Sequence, residues 1–277
     1  MSRVTVIIPS YNEAERMTDT LRHWAMQTRS PDRLVVVDDG STDGTPDVLR
    51  MFPQVDVIRQ SNQGCVAAVR AGFDATTSEY VYFGAMDDWP EPEFIEQSMA
   101  MLEANPQAAL CTADVFHHAG DEVHEWRQQL CHAPTYFRPL ELARYLAGRY
   151  LFGASTVSRR DMVMESGLFD AALRWHTDWF ANLVMAFRAG ACVVPNMLVH
   201  CTYRPESYSN HGRADWQQQQ HVIARVFELL STPEFMDVAP AFAMGRAMRH
   251  FGNDAIRLLM ERPPLRPVSN FELLLLP

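Results

Sequence analysis

An α/β fold with a mostly parallel central sheet flanked by helices is predicted by three observations. Short apolar, β-rich runs alternate with stretches of helical periodicity over the first hundred residues, the rhythm of successive βαβ units. Several of those runs carry the continuous apolar pattern of a buried strand. Three of them end in a polar motif, and open parallel sheets bind ligands beyond the carboxyl ends of their strands, near a topological switch point.

The elements follow in order. VTVIIPS (4–10) is the first strand, and Met17, Leu21, Trp24 and Ala25 recur after it at helical spacing. LVVVDD (34–39) is the second strand. GSTDGT breaks it, and Thr45-Pro46 reads as a helix start. VDVIRQ (55–60) leads into the small-residue helix NQGCVAAVRAGFDA (62–75). EYVYFGA (79–85) is the next strand, and Phe94, Ile95, Ser98, Met99 and Leu102 mark one helix face. Beyond about residue 105 the regularity falls. ALCTADVF (109–116) and ASTVSR (154–159) read as strands. Trp179, Phe180, Leu183, Val184 and Phe187 share a face of a helix that begins near Asp178. CVVPNMLVHCTYR (192–204) reads as one strand, or two broken at Pro195. From about residue 214 the pattern is helical, through Gln217–Gln220 to Pro263-Pro264, which ends the last long helix.

A chain of 277 residues, nearly half of them hydrophobic, can bury a sizeable core. The expected organisation is one catalytic domain over 1–212, with a nucleotide-binding half at 1–115 and an acceptor half at 116–212, and a helical C-terminal extension over 213–277. The net charge of -10 argues against nucleic acid as a partner, because phosphate backbones are held by clustered Lys and Arg. The five cysteines are odd in number and form no CxxC pair, so a reduced, cytoplasmic setting is expected. No secretory leader is read at the N-terminus. No apolar run approaches the roughly 18–20 residues of a membrane span. LLLL (273–276) is too short to cross a bilayer, so any membrane association would be peripheral, on the cytoplasmic face.

VTVIIPSYNE, VVVDDGSTDGT, SNQGCVAAVRAG and the MDD after an apolar strand, in this order, resemble the family-2 glycosyltransferases of the GT-A fold over roughly residues 1–115. A weaker match in HTDWFANLVMAFRAG and TYRPESYS extends it to about residue 212. The resemblance implies a Rossmann-like nucleotide-binding half, a nucleotide-diphosphate sugar donor with UDP foremost, and inversion at the anomeric carbon. The acceptor it implies is a hydroxyl of a glycan or lipid-linked molecule.

The same resemblance assigns roles to residues. Pro9, Ser10, Tyr11 and Glu13 line the nucleotide, and Asp39 contacts the base. Asn62, Gly64 and Arg70 lie toward the diphosphate, where a guanidinium suits phosphate in charge and geometry. Met86 and Asp87 sit at the donor. Asp87, then Asp88, with His200 as a third ligand, would hold Mn²⁺ or Mg²⁺, hard cations that take oxygen ligands. Ala85 stands where relatives commonly carry another aspartate. Asp178 is the general base on the acceptor hydroxyl, although Thr177 replaces the glutamate that commonly precedes it. Trp175, His176 and Trp179 are the acceptor contacts. His117, His118, His124 and His132 have no spacing that compels a metal site.

Each motif also has a purely structural reading: Glu13 as a first-turn helix acid, Asp39 and its neighbours as turn formers, Asp178 as a helix cap. Two other classes compete. A donor-binding protein without chemistry is suggested by Ala85 and Thr177. A dehydrogenase or nucleotidyltransferase would need a GxGxxG or a basic glycine-rich first loop, and PSYNE stands there instead.

Overall fold

A computed structural model of the protein describes residues 3–255 and 258. Pro263-Pro264, LLLL and most of the C-terminal end of the predicted extension lie outside the described residues. The first apolar run forms β1 (Val4–Ser10), followed by α1 (Ala14–Ala25), β2 (Arg33–Asp38), α2 (Thr45–Leu49), β3 (Asp56–Arg59), α3 (Cys65–Asp74) and β4 (Tyr80–Phe83). Then come β5 (Trp89–Pro90), α4 (Phe94–Ala104), β6 (Leu110–Ala119), β7 (Glu122–Trp126), β8 (Thr135–Phe137) and α5 (Pro139–Leu146). The last part holds β9 (Thr156–Arg159), α6 (Arg160–Val163), α7 (Thr177–Ala189), β10 (Ala191–Thr202), α8 (Tyr208–Ala214), α9 (Trp216–Leu230) and α10 (Ala239–Met244).

The sheet runs β3-β2-β1-β4-β9-β6-β10-β5, with β7 added on β6 and β8 on β10. The first four strands in this order are parallel. β9 enters antiparallel between β4 and β6. The chain leaves β1 toward β2 on one side and β4 on the other, so the switch point lies at the carboxyl end of β1.

Period-two alternation explains the near-continuous apolar runs. Val6 and Ile8 face one core with Met17, Leu21 and Trp24 of α1 and with Phe94, Ile95 and Met99 of α4. Ile7 faces the other, with Phe73 of α3 and Phe180 of α7. Both faces of the sheet are covered, so neither can be polar. α9 and α10 pack into this second core through Ile223, Phe227 and Phe242.

β10 is one strand rather than two. It pairs in parallel with β6 throughout, with register shifts between Val194 and Met197 and between Met197 and Val199. Pro195 lacks a ladder N–H, and a bulge there absorbs the defect.

Gly190 ends α7 at φ 81°, ψ 173°, a conformation essentially reserved for glycine. A Cβ there would overlap the Phe137 carbonyl of β8. Gly190→Ala is expected to lose about 2 kcal/mol or more, read as a lowered urea midpoint at unchanged slope.

Candidate active site

The loops at the carboxyl ends of β1, β2 and β4 meet at the switch point. After β1, Asn12 adopts a positive φ of 56°. Its N–H donates to Ser41 Oγ at 2.9 Å, and its Oδ1 accepts from Thr42 N at 2.9 Å. The PSYNE and DDGS turns are thus tied together. Tyr11 is left exposed, and the buried Ser10 hydroxyl has no hydrogen-bond partner in the structure. A buried orphan hydroxyl beside an exposed aromatic is what a polar ligand would satisfy.

Asp39 is buried and heavily engaged. Oδ1 accepts from Gln60 Nε2 at 2.7 Å and Gln63 N at 2.9 Å, and Oδ2 accepts from Gly64 N at 2.8 Å. Gly64, at φ 89°, ψ 164°, turns the chain so that two successive N–H groups aim at one carboxylate. A carboxylate has about four acceptor sites, and these contacts leave one on Oδ2. Asn62 lies in the same loop, its N–H so close to Gly40 that a Cβ at Gly40 would stand 2.9 Å from it.

Asp87 and Asp88 follow β4. Arg204, from the segment after β10, places Nε 2.7 Å from Asp87 Oδ2 and donates from its other end to Glu13 Oε1 at 3.3 Å. Burial alone would lower the Arg204 pKa, but the charges of Asp87 and Glu13 outweigh it and raise it. Thr202 donates its hydroxyl to the Asp87 carbonyl at 2.6 Å and its N–H to Asp88 Oδ1 at 2.9 Å. Burial first, then the charge of Asp87, pushes Asp88 up to about 7. Two adjacent carboxylates thus meet at one point, one paired with Arg204 and the other half-buried.

Asp178 opens α7. Its side chain reaches solvent, yet it lies at the foot of a cleft walled by protein. Oδ1 accepts from Trp179 N at 2.8 Å, and Oδ2 lies against Gly153, so close that any Cβ there would overlap it. Desolvation raises its pKa, against the opposing pull of the Trp179 N–H and the Arg213 charge. Cys65, at the first turn of α3, joins the two halves. Its thiol is pushed up to about 11 by desolvation and then by the charges of Asp178 and Asp39. Asp39 and Asp178, 139 positions apart in sequence, thus both lie near one thiol.

Four groups of expected contacts fall elsewhere. Met86 is a core side chain, and its carbonyl accepts from Thr20 Oγ1 at 2.7 Å, so it is not free to contact a donor. Arg70 is held by Asp74 at 2.8–2.9 Å and lies 4.8 Å over the Phe169 ring, away from the Asp87–Arg204 cluster. His200 does not join Asp87 and Asp88. Its Nε2 is 2.6 Å from Glu91 Oε1, its Nδ1 is 2.8 Å from His118 Nε2, and its ring is stacked between Trp89 and Phe116. Both ring nitrogens are taken, which removes it as a metal ligand.

Trp175, His176 and Trp179 are 7%, 1% and 9% exposed, so none offers a face to an acceptor. Trp175 packs on Gly212. His176 bonds His250 at 3.0 Å, and Trp179 stacks on His250 at 4.9 Å. Sequence reasoning missed Arg204 as the partner of Asp87 and Gly153 as the seat of Asp178. Neither contact leaves a local signal.

The comparisons with known proteins agree with this architecture. The profile of Glycosyl transferase family 2 matches residues 5–167, and the chain belongs to that family. It is 30% identical over 112 residues to "Putative glycosyltransferase EpsH" of Bacillus subtilis (strain 168), covering 39% of this chain and 33% of that protein. It is 35% identical over 98 residues to Glycosyltransferase GlyA of Streptococcus pneumoniae serotype 4 (strain ATCC BAA-334 / TIGR4), covering 34% of this chain and 14% of that one. The match thus spans a third or less of these relatives' lengths. Among solved structures, S. aureus TarS 1-349 in complex with UDP-GlcNAc superposes with a TM-score of 0.72 at 16% identity, over 96% of this chain and 82% of that one. Mannosyltransferase PcManGT from Pyrobaculum calidifontis in complex with GDP-Man and Mn²⁺ gives 0.57 at 19% identity, over 98% and 77%. At these identities the superpositions establish the GT-A fold. Among the described residues no helix is long and apolar enough to cross a membrane.

Proposed function

We propose that the chain transfers a sugar from a nucleotide diphosphate, UDP-linked in the first instance, to a hydroxyl of a glycan or lipid-linked acceptor, with inversion. The observation that carries the proposal is the single cleft shared by the Asp39 loop, Cys65 and Asp178. The remaining acceptor site of Asp39 suits a base N–H, and the orphan Ser10 hydroxyl and exposed Tyr11 suit the rest of a nucleoside. Asp178, solvent-reachable with a raised pKa, suits a base that must take a proton from a hydroxyl at neutral pH. In direct displacement the acceptor oxygen attacks the anomeric carbon as Asp178 removes its proton, and the diphosphate leaves from the opposite face.

Asp87 and Asp88 fit a hard divalent cation, because they are adjacent carboxylates whose donors are oxygens. Among the described residues no cluster of three His, Cys, Asp or Glu side chains could hold a metal, so Asp87 and Asp88 are the protein groups that would hold it. Mn²⁺ or Mg²⁺ held there would neutralise charge on the leaving diphosphate. Arg204, held between Asp87 and Glu13, adds a positive charge beside the same carboxylates. A cytoplasmic setting, free or peripheral at the membrane, is consistent with the five free thiols.

The test is slow donor hydrolysis, with water in place of the acceptor. UDP-GlcNAc, UDP-glucose and GDP-mannose are incubated with the protein and Mn²⁺, and the released sugar is followed by ¹H NMR. Inversion predicts that the first-formed sugar has the anomeric configuration opposite to the donor's. Retention of configuration would overturn the displacement mechanism. Nucleotide binding with no release from any donor would leave a binding protein without chemistry.

A further inference from the structure

With Trp175, His176 and Trp179 buried, the acceptor needs another surface, and one lies across the cleft. β6 and β7 form a hairpin in register, His117 opposite His124 and Val115 opposite Trp126. Period-two alternation puts Glu122, His124 and Trp126 on the same face. Trp126 is 46% exposed, and its indole is stacked on the His117 ring at 3.8 Å and 6°. Tyr203, 45% exposed, stands 5.9 Å from the other side of His117. Burial first, then the charges of His124 and His118, lowers the His117 pKa and favours its neutral ring.

The position of this shelf is informative. Trp126 is 6.4 Å from Phe152, and Phe152 precedes Gly153, the residue against Asp178. Tyr203 precedes Arg204, which holds Asp87 and Glu13. The shelf therefore runs from the general base to the diphosphate-side loop, where an attacking hydroxyl must be brought.

From this we infer that Trp126, backed by His117 and flanked by Tyr203, is an acceptor subsite that stacks a sugar ring, so that the acceptor presents a saccharide rather than a lipid or peptide surface to the cleft. The inference rests on the transferase reading above. A sugar has an apolar C–H face and a polar rim. An aromatic ring attracts the first through its negative π-face, and the second needs polar neighbours. Both are present: on the face that carries the indole, His124 pairs with Glu122 at 3.3 Å. An acyl chain would call for a contiguous aliphatic patch, and Val123 is the only exposed aliphatic side chain on β7.

The test is saturation-transfer NMR with UDP bound, using methyl β-glucoside, methyl β-galactoside, methyl α-mannoside, N-acetylglucosamine, cellobiose and lactose as probes, on the parent protein, Trp126→Ala and Trp126→Phe. At least one saccharide should respond through its ring C–H protons. Its affinity should fall at least tenfold in Trp126→Ala and be largely kept in Trp126→Phe, with UDP affinity within twofold of the parent in both. Retained saccharide binding in Trp126→Ala, or no saccharide response while UDP binds, overturns the subsite and leaves the transferase reading standing. Absence of nucleotide binding in the parent would overturn the reading beneath it. Near-ultraviolet circular dichroism of both variants separates a lost shelf from a lost fold, and Trp126→Phe still decides the matter if the alanine variant does not fold.

Discussion

Asp178→Asn is expected to cut sugar transfer roughly 10²–10⁴-fold, the usual cost of losing a general base, while donor affinity stays unchanged. The substitution keeps the shape of the side chain and the hydrogen bond accepted from Trp179 N. It removes only the ability to take a proton. A second consequence follows from the direction of the pKa shift. Desolvation raises Asp178 above the ordinary aspartate value, so the folded state holds its proton more tightly than the unfolded chain does. The associated stability is complete below the unfolded pKa and is lost as pH rises through the folded one. At neutral pH the ionised group is therefore a burden on the fold. Asp178→Asn should melt no lower than the parent at pH 7, and higher if the desolvation dominates. A helix cap would show the reverse pattern, a lower melting temperature with little kinetic change. In the parent, transfer should fall with decreasing pH at a value above the ordinary aspartate range, because the base must be ionised to act.

Asp87→Ala is the second large effect. Asp87 is the partner of Arg204 and the carboxylate placed to hold a cation. Its removal should abolish the part of donor binding and turnover that depends on Mn²⁺, a loss larger than the roughly 10–100-fold that follows removal of a contact merely supporting a metal ligand. Arg204 keeps its contact to Glu13 at 3.3 Å, so the loop after β10 should stay in place and the protein should remain folded. Isothermal titration of UDP with Mn²⁺ and with EDTA separates the two contributions. If Asp87→Ala and the parent respond equally to EDTA, the metal is not held at Asp87.

Much of the first 115 residues was legible because its parts are consecutive in sequence. Each strand ends in its own motif, and parallel βαβ order brings successive strand ends to one edge, so PSYNE, DDGS, NQG and MDD converge without any long-range information. The remainder was harder to read because its contacts are long-range. Arg204 meets Asp87 from 117 positions away, and Gly153 meets Asp178 across a 25-residue gap. Nothing local in either segment encodes the meeting.

The tryptophans show the same limit from another side. Trp179 shares a helix face with Leu183, Val184 and Phe187, and that spacing marks burial, which is where the structure puts it. Trp126 stands at the end of the polar stretch DEVHEW. Sequence reading passed over it, because its exposure and its stacking on His117 depend on the pairing of β6 with β7. His200 looked available because it follows an apolar strand. The antiparallel pairing of β5 with β10 brings Trp89 and Glu91 onto it and uses up both nitrogens.

The central claim is that this cleft binds a nucleotide diphosphate with a cation. The most direct measurement is thermal unfolding of the parent protein with UDP, GDP, dTDP, CMP and NAD, each with and without Mn²⁺. A ligand at about 100 times its dissociation constant should add roughly 2.7 kcal/mol, a shift of several degrees in the melting temperature. The account predicts stabilisation by one nucleoside diphosphate, UDP first, that requires Mn²⁺. Stabilisation by NAD alone, or by no nucleotide under any condition, would contradict it.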